Sequence, residues 1–182
     1  MEKYIIDLKD NRACELSISG GKGANLAKLH NIPGIPVPGG FIVSAQCYSD
    51  FVLSMPEVRK LIVQLPEITA DQTEAISQIS KQIRREIEKF SFPVEITDEV
   101  SEALARHGDL LPYAVRSSAT AEDLPRASFA GQQDTFLNVI GIKNICQAIV
   151  RCWASLFNDR AVAYRIKNGF PHDKVTIAVV VQ

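Results

Sequence analysis

The sequence predicts a mixed α/β fold of the α+β kind, a short-stranded sheet covered by helices. Three observations predict it. Runs of β-branched and apolar residues at 40–43, 113–115 and 175–181 read as buried strands. Residues 71–90 carry Ile76, Ile79, Ile83, Ile87 and Phe90 at three- and four-residue steps among Lys, Arg and Glu, which is an amphipathic helix with one core-facing side. Gly20, Gly21, Lys22 and Gly23 precede residues 24–30, whose Ala, Leu and Lys favour a helix.

Each element has a local reason. Residues 3–8 form the first expected strand, and a proline-rich stretch with Pro33, Pro36 and Pro38 links the glycine-cluster helix to the strand at 40–43. Ser44 is placed to cap a helix through Tyr48, Phe51 and Val52, because its hydroxyl can accept from an orphan N–H of the first turn. Pro56 opens a short helix through Leu61 and Ile62, since the first turn tolerates a missing N–H. Phe92 and Pro93 end the amphipathic helix, and Thr97 is expected to cap a short helix through Val100 and Leu104 that stops at Gly108. Tyr113 to Val115 is a strand that runs out at Arg116, and residues 135–139 form another. Residues 143–157 place Ile145, Ile149, Trp153 and Leu156 on one helical face, residues 159–167 continue as helix, and Gly169 is a natural stop. Trp153 reads as packing, whereas Arg151, Arg160 and Arg165 read as solvated helix charges.

Composition narrows the function classes. A chain of 182 residues can bury one good core, and its net charge of -1 gives no general attraction to nucleic acid or to an anionic membrane. No segment is long and apolar enough to span a bilayer, and the first residues lack the apolar stretch of a signal peptide, so the cytoplasm is the default location. Cys14, Cys47, Cys146 and Cys152 show no paired or zinc-type spacing and read as reduced thiols. His30, His107 and His172 stand outside any catalytic motif and read as structural or solvent-exposed.

What remains points to a local polyanion site. Arg116 offers a permanent charge in a planar fork matched to phosphate oxygens, and Ser117, Ser118 and Thr120 add hydroxyl and backbone donors beside it. The glycine cluster offers the same chemistry: tight backbone turns, a helix N-terminus and Lys22 as a point charge. It is no Walker A loop, because no Ser or Thr follows the lysine. A surface loop and a glycine turn with a solvated lysine are the plain alternatives. Glu122 and Asp123 lie in the same loop and read as solvated charges. The apolar run 175–181 ends one residue before Gln182, so the chain is expected to be a fragment whose exposed strand edge could drive self-association.

Four segments carry a family resemblance: GGKGANLAKL at 20–29, IPVPGGFIVS at 35–44, YAVRSSATAEDLPRASFAGQQDTFLNV at 113–139 and CWASLFNDRAVAYR at 152–165. Together they resemble the N-terminal ATP-binding domain shared by phosphoenolpyruvate synthase, pyruvate phosphate dikinase and rifampicin phosphotransferase. The resemblance implies an ATP-grasp architecture of two lobes, of which residues 1–182 match only the first, with a helical insertion at about 66–107. It implies that Lys22 and Arg116 contact ATP phosphates, Gly131 lends loop backbone, Thr135 lies beside the nucleotide and Gln182 near the adenine. For Gly131, Thr135 and Gln182 only the resemblance supplies a role. It also implies that the magnesium ligands and a phosphate-accepting histidine belong to the remaining domains of a full-length enzyme, which passes phosphate to pyruvate or a rifamycin. No catalytic residue is then expected here, and the isolated chain should bind ATP weakly and catalyse nothing. The rival reading is a non-catalytic anion- or partner-binding module that keeps the fold.

Overall fold

The computed structural model describes residues 4–120 and 134–182. Strand β1 (Ile5–Asp7) leads into a 3-10 turn (Asn11–Cys14), unforeseen in the sequence, which Asp10 caps by accepting from the Arg12 N–H. Helix α1 (Leu16–His30) starts earlier than expected and breaks at Gly20, where φ/ψ of 66°/177° is not helical. The glycine cluster is therefore built into the helix, not into a loop before it. After β2 (Phe41–Val43) come α2 (Ala45–Phe51) and α3 (Pro56–Ile62). Ser44 caps α2, its hydroxyl accepting from the Cys47 N–H at 3.3 Å, and Pro56 opens α3, both as expected.

The amphipathic stretch is α4 (Thr73–Glu88), and α5 (Val94–His107) follows. Thr97 does not cap α5: it lies inside the helix and donates back to the Pro93 carbonyl at 3.1 Å, while Pro93 holds the cap position. Strand β3 (Tyr113–Ala119) is longer than its apolar start suggested, so Arg116 sits mid-strand rather than at its end. The remaining elements are β4 (Thr135–Val139), α6 (Ile142–Ser155), α7 (Asp159–Asn168), which Gly169 stops in the left-handed region, and β5 (Ile177–Val181).

The five strands form one sheet in the order β1-β2-β5-β3-β4, with every neighbouring pair antiparallel. This corrects the expected free edge at 175–181, because β5 is hydrogen-bonded to β2 on one side and β3 on the other, and β1 and β4 are the edges. Alternate strand residues feed two cores. Phe41, Val43, Tyr113, Val115, Val179 and Val181 meet α2 to α7 on one face, where Trp153 is sealed among Tyr48, Phe90 and Phe92. Ile6, Ile42, Ala178 and Val180 face α1 on the other, against Ala27. Burial on both faces explains why β5 is apolar at every position. Among the described residues no helix is long and apolar enough to cross a membrane.

Arg165 is the largest departure within the core. Expected as a solvated charge, it is fully buried, its guanidinium 5.3 Å from the centre of the Phe157 ring. The turn after Gly169 brings His172 back over α7, where its Nδ1 accepts from Arg165 Nε at 2.9 Å. Burial, helped by the Arg165 charge, pulls the His172 pKa down to about 4 from an ordinary 6.5. The unfolded chain therefore binds the extra proton between those values, so stability falls as the pH falls through that window. We expect the unfolding constant to rise roughly tenfold or more between pH 7.5 and 5, and much less in His172→Gln, by urea denaturation. Equal acid sensitivity in both proteins would contradict this.

Candidate functional site

The register brings the sequence-predicted residues together on the α1 face. Arg116 on β3 is paired with Val180 on β5 and with Thr135 on β4. Gln182 continues β5 by one residue and exchanges both backbone hydrogen bonds with Ala114, at 3.0 and 2.8 Å. Gln182, Arg116 and Thr135 thus stand on three adjacent strands, spanning about 10 Å at ordinary strand spacing. Lys22, in the first turn after the Gly20 break, completes the group: its Nζ donates to the Ser117 carbonyl at 3.3 Å. Gly131, the fifth expected residue, lies outside the described residues, as do Glu122 and Asp123.

The polar groups divide into those already satisfied and those available. Ser117, Ser118 and Thr120 were expected to donate to an anion, yet each hydroxyl is used within the fold. Ser117 donates to the Asp134 carbonyl at 3.1 Å and Thr120 to the Thr176 carbonyl at 3.1 Å. Ser118 donates to the Ser19 carbonyl at 2.7 Å and accepts from the Gly23 N–H at 2.9 Å. These residues are at least half-buried where β3 meets α1 and β4, so the hydroxyls must pair internally. Arg116 is different: half-buried, its side chain has no hydrogen bond or ion pair among the described residues. A half-buried cation without a carboxylate partner among the described residues, beside an exposed Thr135, suits an anionic ligand.

The adenine-side expectation at Gln182 acquires a structural neighbour that the sequence did not suggest. Gln182 Nε2 donates to the Pro38 carbonyl at 3.1 Å, which leaves the amide oxygen as an acceptor. Pro38 is held in place through Gly39 and Gly40. The His107 ring packs so closely on Gly39 that an added Cβ would meet Nδ1 at 2.8 Å, and His107 Nε2 lies 3.0 Å from Asp7 Oδ2. Gly40 admits no side chain either, since a Cβ there would stand 2.3 Å from the Val181 carbonyl oxygen. Prolines in series signal such a rigid segment, but its contact with Gln182 spans 144 positions and leaves no local signature.

Electrostatics of the remaining titratable groups point elsewhere. Burial pushes the thiols of Cys47 and Cys152 far above their ordinary value, so neither is a nucleophile. A cleft of about 770 Å³ opens beside Leu65, Ile166 and Phe170, on the helical layer and away from Lys22, Arg116 and Thr135.

Comparison with known proteins places the chain in a family. Residues 16–182 match the family described as pyruvate phosphate dikinase, AMP/ATP-binding domain. The whole chain is 49% identical to a rifampicin phosphotransferase of Bacillus cereus, of which it covers 21%, and 44% identical to one of Bacillus subtilis, again covering 21%. It is 41% identical to a phosphoenolpyruvate synthase of Pseudomonas aeruginosa, covering 24% of that protein. The chain therefore spans about a fifth of the length of the rifampicin phosphotransferases it matches.

Proposed function

The chain belongs to the pyruvate phosphate dikinase AMP/ATP-binding domain family, and on that premise we propose that it is the first lobe of an ATP-grasp-type nucleotide clamp in a longer phosphotransferase. Residues 1–182 form that lobe, with residues 66–107 as a helical insertion. The observation that carries the proposal is the convergence of Gln182, Arg116 and Thr135 on adjacent strands with Lys22 held against β3. Arg116 and Lys22 bind the ATP phosphates, Gly131 lends loop backbone, Thr135 lies along the nucleotide and Gln182 offers its amide to the adenine edge.

In the full-length protein the expected chemistry is transfer of a phosphoryl group from ATP to a histidine of another domain, and from there to pyruvate or a rifamycin. Such a transfer asks the protein mainly for positioning and charge stabilisation, which is what one cation on β3 and a second brought against it from α1 supply. Magnesium, which would supply charge neutralisation at the phosphates, would have its ligands in the remaining domains under this reading. The lobe by itself binds nucleotide weakly and turns nothing over.

The test is ATP titration with magnesium, followed by protein NMR. Saturable shifts at the amides of Lys22, Arg116, Thr135 and Gln182 are the expected result. Shifts elsewhere, or none at millimolar ATP, would remove the reading, and ATP turnover by the purified chain would remove the claim that the lobe is inactive alone.

A further inference from the structure

Gly20 separates two helical segments, and its extended ψ makes it the cap residue of the second, yet it has no side chain with which to cap. The cap comes from the sheet instead. Ser118 Oγ accepts from the N–H of Gly23, the third residue after the break, and donates to the carbonyl of Ser19, the last residue before it. In an unbroken helix those two groups would be each other's partners, four residues apart. One fully buried hydroxyl thus joins both ends of the break and ties them to β3.

The tie falls beside both proposed phosphate ligands. Ser118 is two residues from Arg116 on the same face of β3, a separation of about 7 Å along the strand. Gly23 follows Lys22 directly, and the Lys22 ammonium is bonded to the carbonyl of Ser117. The side chain of Ser118 therefore fixes where the backbone of Lys22 stands relative to Arg116. Absence of a Cβ at Gly20 makes the approach possible, since one would lie 2.1 Å from the Ser118 carbonyl oxygen.

We propose that Ser118 is a positioning residue: its hydroxyl sets the distance between Lys22 and Arg116 so that both cations reach one polyphosphate. This rests on the proposed nucleotide-binding role. Losing one charge-assisted hydrogen bond to phosphate costs on the order of tenfold in affinity, so a hydroxyl that places Lys22 has leverage on affinity without touching the ligand.

The test uses Ser118→Ala in this chain, with Ser118→Cys as a second variant that keeps a slightly larger, weakly hydrogen-bonding group at the position. Without nucleotide, hydrogen exchange at the Gly23 amide should quicken at least tenfold while thermal unfolding stays cooperative. On ATP titration, affinity should fall roughly tenfold. The shifts at Lys22 and Gly23 should collapse, while those at Thr135 and Gln182 persist. Unchanged affinity with a lowered melting temperature would make Ser118 only a structural cap and overturn the proposal, as would uniform loss of every shift or unchanged Gly23 exchange. If Ser118→Ala does not fold, the same readings on Ser118→Cys decide, with intermediate effects expected. Failure of the unmodified chain to titrate would instead sink the nucleotide reading, and this proposal with it.

Discussion

Gly20→Ala should be the most damaging small substitution in the described structure, destabilising the chain by about 3–5 kcal/mol. Two terms add. At φ 66° and ψ 177° the backbone occupies a region nearly closed to residues with a Cβ, worth about 1–3 kcal/mol. The new methyl would also stand 2.1 Å from the Ser118 carbonyl oxygen, and backbone on a central sheet cannot yield as a flexible side chain would. Such a loss is a large part of a typical domain stability of about 5–15 kcal/mol. Gly34→Ala separates the terms, because Gly34 also has positive φ, 86°, but nothing lies within 4 Å of the place its methyl would take. Urea denaturation should show a loss near 1 kcal/mol for Gly34→Ala, roughly the cost of the strain alone. Equal losses at the two sites would refute the steric account of Gly20.

This glycine marks the limit of what the sequence discloses. Four residues, Gly20 to Gly23, announced a close approach of backbone to something. What they approach is first of all the protein itself: Gly20 clears the Ser118 carbonyl, and Gly23 clears Ile42 and Val180. A glycine near a lysine reads the same whether it admits a phosphate or a neighbouring strand, because both demand the absence of a Cβ. The same ambiguity held for the hydroxyls after Arg116. Ser117, Ser118 and Thr120 have the chemistry of anion donors, but their partners, Asp134, Ser19 and Thr176, are fixed by strand pairing and by the packing of α1 on the sheet, which no local window contains.

Elements set by short-range rules were legible. The isoleucine spacing of α4, the Ser44 cap, Pro56 at the start of α3 and the left-handed stop at Gly169 each depend on a few consecutive residues, and each appears where expected. Elements set by packing were not. Arg165 looked like its exposed neighbours Arg151 and Arg160 until the return of the chain at His172 closed over it. Strand β3 looked short because its second half, Arg116 to Ala119, is polar or small, although it is paired residue by residue with β5. Lys22 and Arg116 were nameable from their own chemistry, whereas Thr135 and Gln182 were nameable only because family resemblance carries long-range information that composition and periodicity lack.

Arg116 is where that information meets a measurable consequence. Arg116→Ala should weaken ATP binding about a hundredfold, enough to abolish saturable shifts at Thr135 and Gln182 in the NMR titration. Stability should hardly change, since the guanidinium has no partner among the described residues whose pairing would be lost, and the strand's hydrogen bonds are backbone. Arg116→Lys distinguishes charge from shape. If the site needs only positive charge, Lys should serve nearly as well; if it needs two parallel donors, Lys should lose roughly tenfold. We expect the second outcome, because Lys22 already supplies a compact charge from α1, and a fork on β3 adds the direction that one ammonium cannot give. An Arg116→Ala protein that folds and titrates like the unmodified chain would move the phosphate site away from β3 altogether, toward a rival in which this strand is only a support.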